Sequence, residues 1–274
     1  MTQSIRPDMT PTLPNTVVPG SQPNAASRLV AGEQGATQRI LVVEAIGLAA
    51  ANGAVLRAVL EGVVASAEAR CLVKIAPGVY DLGDTPLQMR DYVDVEGAGE
   101  RATVLTSRVS VSMGGTVVGA DNTELRHLTV ANEGGQKFAV AIYNDGVAPR
   151  LVHLTALAAG AQANYGVYNC NGAAPAMVDM TATATGGSCN AGVHNDGAAP
   201  VMTRVAASGS SGHMSYGVYN TNGAAPIMTD VVATASRGSR SVGLYNDEDA
   251  WPTLTDVIAY ASGGVQNINV YNGN

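Results

Sequence analysis

From residue 139 onward the chain restates one pattern about every 25 residues, and a repeat of that length points to a stacked architecture. The landmark is an aliphatic residue, an aromatic ring and an asparagine: Ile142-Tyr143-Asn144, Val167-Tyr168-Asn169, Val193-His194-Asn195, Val218-Tyr219-Asn220, Leu244-Tyr245-Asn246 and Val270-Tyr271-Asn272. These recur at steps of 25, 26, 25, 26 and 26 residues, and a proline follows each of the first five, at Pro149, Pro175, Pro200, Pro226 and Pro252. In such an array each repeat buries its apolar face only against its neighbours.

Each repeat reads as strand and turn. The chain alternates with period two around the landmark, as a half-buried strand does. Val140, Tyr165, Ala191, Tyr216, Val242 and Ile268 are therefore expected on the same inner face as Ile142, Val167, Val193, Val218, Leu244 and Val270. Ala141, Gly166, Gly192, Gly217, Gly243 and Asn269 are expected to point the other way. Turn residues follow at once, as in Asn144-Asp145-Gly146 and Asn169-Cys170-Asn171-Gly172, and the extra residue in alternate turns accounts for the 25/26 steps. A second strand begins after each proline, with Leu151, Met177, Met202, Met228 and Leu254 two residues past it. The Gly/Ser/Ala-rich remainder of each repeat holds either a third short strand or only a turn. Gly, Thr, Asn and Val dominate where a helical solenoid would need helix formers at 3.6-residue spacing. The expected fold is all-β: a right-handed parallel β-helix over residues 71–274, with one coil per repeat.

Upstream, Leu125, His127 and Leu128 stand 26 residues before Leu151, His153 and Leu154, so one further coil precedes Ala139. Leu72 to Asp81, Tyr92 to Gly99 and Ala102 to Leu105 read as opening coils. Their Ala76-Pro77-Gly78-Val79-Tyr80 and Val93-Asp94-Val95-Glu96-Gly97-Ala98-Gly99 runs resemble the start of the pectin-lyase-like β-helix superfamily, over roughly residues 36–274. The resemblance implies an architecture. That superfamily holds lyases, methylesterases, polygalacturonases, phage tailspikes and adhesins, so fold does not choose among them. Polygalacturonase motifs are not found, Trp251-Pro252 lacks the methylesterase context, and neither His213 nor Cys71 has a partner pattern for a nucleophile and base.

Residues 37–70 read as an N-terminal strand (Arg39–Ile46) and a capping helix (Asn52–Ala67), whose stripe of Val55, Leu56, Val59, Leu60 and Val63 would cover the first rung. Residues 1–36 hold five of the 12 prolines and read as an extended arm. Net charge is −7, and only Arg150, Arg204, Arg237 and Arg240 follow Ala139, so no basic stripe for nucleic acid exists. Glu44, Arg57 and Glu61 interrupt the apolar stretch from Ile40 to Val64, and a membrane span is not expected. No signal peptide is visible. Three cysteines imply no disulfide framework, and no cofactor is expected.

Three columns carry the candidate chemistry. The aromatic ladder Tyr143, Tyr168, His194, Tyr219, Tyr245, Tyr271 is expected outside, beside a strip of Ala and Gly. It could stack on itself, pack against another subunit or bind sugar faces. The ladder Asn144, Asn169, Asn195, Asn220, Asn246, Asn272 reads as structural, its amides bonding along the axis. The mixed column His127, His153, Asp179, Arg204, Asp230, Asp256 reads as a surface ion-pair ladder from Asp179 through Arg204 to Asp230. Only Asp230 and Asp256 are adjacent carboxylates in it, a weak metal candidate, and no catalytic residue is assigned. Near-identical repeats with turns of almost constant length favour a non-enzymatic structural or adhesive protein of a cell surface or virion, in a fibre or filament. Its partner would be itself, as a side-by-side trimer or head-to-tail filament. A polysaccharide-binding or polysaccharide-degrading protein is the alternative.

Overall fold

The computed structural model describes residues 27–30 and 39–273, and for 27–30 the backbone alone. The expected arm, residues 1–36, therefore lies largely outside the described residues. The chain winds into a right-handed parallel β-helix of about eight turns. Each central coil contributes one long strand to a first sheet and one to a second, and in the last two the first-sheet strand is split in two, as Ile227–Thr229 and Val232–Ser236. Glu124–Asn132, Arg150–Ala159, Ala176–Thr185 and Val201–Ser210 are successive strands of the first sheet. Phe138–Asp145, Ala163–Cys170, Cys189–Asp196, Met214–Thr221, Arg240–Asn246 and Gln266–Asn272 run through the second. The register pairs landmark with landmark, Tyr143 with Tyr168 and Tyr168 with His194. The Gly/Ser-rich stretch of these coils is a turn, with no third strand.

A core of Ile142, Val167, Val193, Val218 and Leu244 from the second sheet meets Leu151, Met177, Met202 and Met228 from the first, all buried. At the N-terminal end the helix is Ala49–Gly62, starting three residues before the expected Asn52 and stopping five before Ala67. It lies against Gly78–Asp81 so closely that a Cβ on Gly53 would meet the Asp81 carbonyl oxygen at 2.0 Å. That approach fixes Leu56 and Leu60 in the core, with Val55 and Val59 packed at its margin. The first strand is Arg39–Val43, shorter than the expected Arg39–Ile46, and Ser27–Val30 pairs with it antiparallel.

The strict alternation expected around the landmark is wrong, and the glycines are the reason. Gly166, Gly192, Gly217 and Gly243 point inward, where a Cβ would strike the first sheet's backbone: on Gly192 it would lie 2.3 Å from the Ser208 nitrogen. Ala182, Ala207 and Ala233 are the inward residues opposite, so the two sheets nearly touch. Two consecutive inward residues, Gly192 and Val193, shift the phase. The Tyr165, Ala191, Tyr216 and Val242 column thus belongs outside, in one cluster with the landmark rings. No Ala/Gly strip flanks those rings.

The mixed polar column lies where each long strand of the first sheet bends. His127, His153, Asp179, Arg204, Asp230 and Asp256 all have φ between 50° and 56°. A side chain in the left-handed region is disfavoured except for Gly, Asn, Asp and His, which accounts for most residues found there. Backbone conformation therefore explains most of the column's composition.

Candidate functional site

The outer face of the second sheet carries the densest chemistry. Tyr168 and His194 stack with centroids 4.8 Å apart and planes 3° from parallel, His194 and Tyr219 at 4.5 Å and 23°, Tyr245 and Tyr271 at 4.6 Å and 13°. Tyr143 meets Tyr168 edge-on at 5.6 Å. The second column thickens the layer, Tyr216 stacking on Tyr219 at 4.3 Å. The Arg240 guanidinium lies 4.9 Å from the Tyr271 ring centroid, a cation–π contact at the last coil. Ring faces that cover one another leave mainly edges for a ligand.

The ring tips are also engaged. The Tyr168 hydroxyl donates to Asp196 at 2.9 Å and the Tyr143 hydroxyl to Asp145 at 3.2 Å. Burial, then the bond to Asp196, pushes the Tyr168 hydroxyl pKa up. His194 is 8% exposed. Its Nε2 lies 3.2 Å from the Thr221 hydroxyl and its Nδ1 has no partner. Burial lowers its pKa from 6.5 to about 4, opposed weakly by Asp196, so the ring is neutral at pH 7. Cys170 and Cys71 are buried thiols and Cys189 is half-buried; all three are free.

Beneath the rings runs the amide ladder. Asn144 donates through Nδ2 to Asn169 Oδ1 at 2.8 Å, and the chain of bonds continues through Asn195, Asn220 and Asn246 to Asn272 at 2.8–2.9 Å. Every link points the same way. The first acceptor, Asn144 Oδ1, has no donor. It faces Gly119, whose missing side chain leaves it room: a Cβ there would come within 2.2 Å.

Sequence reasoning missed a second buried polar column, Asn164, Asn190, Ser215 and Ser241. Asn164 Nδ2 donates to Asn190 Oδ1 at 2.8 Å. Asn164, Ser215 and Ser241 also accept the backbone N–H three residues earlier, closing the turn between the sheets. The signal was present as Asn or Ser two residues before each repeat glycine.

In the polar column of the first sheet, Arg204 grips Asp179 with two bonds, at 2.6 and 2.8 Å, holding that carboxyl below its usual pKa range. The His127 and His153 rings stack at 5.0 Å, and His153 Nε2 lies 3.9 Å from Asp179. Asp230 makes no ion pair with Arg204 among the described residues, so the expected three-member ladder has two members. No cluster of three or more His, Cys, Asp or Glu among the described residues is placed to hold a metal ion. Nor does any helix among them have the length and apolar character to cross a membrane.

No family model and no curated protein matches the chain. Solved structures are similar in fold. A pectin methylesterase mutant in complex with a hexasaccharide has 10% identity and a TM-score of 0.40, covering 72% of this chain and 76% of that one. An ORF18 protein of a Geobacillus virus has 9% identity and a TM-score of 0.42, covering 77% and 58%. The A-module of a mannuronan C-5 epimerase of Azotobacter vinelandii has 11% identity and a TM-score of 0.28, covering 81% and 94%.

Proposed function

We propose that this chain is a non-enzymatic, structural β-helix unit of a cell-surface or virion fibre that associates with copies of itself. The observation that carries this reading is how the repeated polar and aromatic groups are engaged. Ring faces stack on rings, tyrosine hydroxyls bond to aspartates, and asparagine amides bond to the next amide along the axis. These contacts stiffen a rod, whereas a catalytic or sugar-binding face needs such groups free. Lateral association is favoured over head-to-tail stacking, because the antiparallel strand Ser27–Val30 forms the N-terminal edge and does not continue the parallel run of coils. Sedimentation with electron microscopy of the purified chain tests the reading: elongated assemblies are expected, and a compact monomer at 100 µM overturns it.

A polysaccharide reading stands second, favoured by one feature. An open groove of about 430 Å³ lies between the turns around Ser110 and Gln136, lined by Asp84, Arg108 and Lys137. Its mix of two cations, a carboxylate and an amide suits an acidic or polyhydroxyl chain. A glycan array separates the readings: binding lost in Arg108→Ala with Lys137→Ala would favour the second.

A further inference from the structure

A contact with another subunit is one of the roles open to the aromatic face, yet the exposed large apolar residues lie elsewhere. One group of them stands on the outer face of the first sheet over its last coils. Val201 and Ile227, 44% and 48% exposed, share one column before the left-handed bend. Val232 and Ile258, 41% and 63% exposed, share another after it, with Tyr260 at 54% in the next. Side chains of this kind grouped on one face mark a contact surface. The N-terminal part of the same sheet is different, because Lys74, Glu96, Glu124, Arg126 and Arg150 interlock there in ion pairs.

We propose that a second copy of this chain docks face to face on this patch, forming a twofold dimer; the proposal rests on the self-associating reading above and names its surface. Shape is the first argument. Parallel strands about 4.8 Å apart make a regular ridged surface, matched by another of the same spacing, and packed sheets sit about 10 Å apart. A twofold contact then needs the patch to complement itself.

Charge is the second argument. Arg204 lies one coil before Asp230, and no ion pair engages Asp230 or Asp256 among the described residues. A twofold axis along the strands, midway between these coils, reverses coil order across the contact. It sets Arg204 of one copy opposite Asp230 of the other, Val201 opposite Ile227 and Val232 opposite Ala206, with Asp179, already bonded to Arg204, opposite Asp256. Arg204 then gains a second carboxylate, and Val201, Ile227 and Val232 each gain an apolar neighbour.

Area is the third. Each coil spans about ten residues on this face, unbroken in Val201–Ser210 and in two pieces in Ile227–Thr229 and Val232–Ser236. The axis overlaps four coils, those of Asp179, Arg204, Asp230 and Asp256, and at about 4.8 Å per coil and about 3.3 Å per residue the face gives about 630 Å² per copy. That lies at the lower end of what each partner contributes to a specific stable interface.

The test is sedimentation equilibrium of the full chain, alone and as two lysine pairs. Ile227→Lys with Val232→Lys is expected to weaken the dimer at least tenfold while leaving the melting temperature within a few degrees. Tyr219→Lys with Tyr245→Lys is expected to lower the melting temperature without a comparable specific effect on the dimer. A wild-type oligomer unaffected by the first pair overturns this surface and leaves the self-associating reading standing. A monomeric wild type at 100 µM overturns both. Should the lysine pair unfold, Ile227→Thr with Val232→Thr keeps β-branched side chains, and unchanged association in that variant overturns the surface.

Discussion

Asn195 shows how one residue type holds a coil in place. Its amide accepts from Asn169 at 2.9 Å and donates to Asn220 at 2.8 Å, both bonds fully buried. An aspartate there could accept but not donate, and its charge would be buried without a cation. Asn195→Asp is therefore expected to lose about 3 kcal/mol or more at pH 7, read by urea denaturation. A loss below about 1 kcal/mol would mean the ladder contributes little. His194 makes a pH statement. Its pKa is near 4 folded and 6.5 unfolded, so the unfolded chain binds the extra proton between those values. Stability is present in full above pH 6.5 and falls by about 3 kcal/mol as pH drops towards 4. His194→Phe, which keeps the stack with Tyr168 and Tyr219, is expected to flatten that slope.

At the scale of the element, the alternation of turn length has a reason in side-chain contacts. The short turns carry Asp145 and Asp196; the long ones insert Asn171 and Asn222, both with positive φ. Asn171 donates to Asp145 at 2.7 Å and Asn222 to Asp196 at 2.5 Å. Long turn therefore caps short turn, and two coils form the true repeat. The strand bearing Gly192 is constrained more severely. Gly192→Ala is expected to cost about 3 kcal/mol or more, because its Cβ would meet backbone atoms of the opposite sheet that no rotamer can move. Thermal melting checks this, and an unchanged midpoint would contradict the close approach of the sheets.

For the molecule as a whole, the two sheets divide the roles. The second sheet turns its chemistry on itself through rings and hydroxyls. The first presents an ion-paired half and an apolar half to solvent. Calcium has no expected part in holding the coils: melting in calcium and in chelator should coincide for wild type. A chelator-dependent shift that vanishes in Asp230→Ala with Asp256→Ala would restore a metal site there. The last described coil exposes Leu254 and Val270 at 45% and 48%, where Met228 and Leu244 one coil earlier are buried. Val218→Asp, deep in the same inward columns, should lose several kcal/mol through an unpaired buried charge.

The repeat period, the turn glycines and the proline after each landmark were enough to call a parallel β-helix, because stacking identical coils superposes identical residues. The Asn ladder was legible for the same reason. What the sequence could not settle was which way side chains point near a glycine. Period-two reasoning assumes an unbroken strand, and the inward glycines violate that assumption where the sheets converge. That contact lies between residues about 16 apart, Gly192 and Ser208, and only the folded cross-section brings them together. The same limit applies to the polar column: its His, Asp and Arg read as an ion-pair ladder with a weak metal candidate at Asp230 and Asp256, and the backbone angle at the bend, visible only in three dimensions, explains most of its composition.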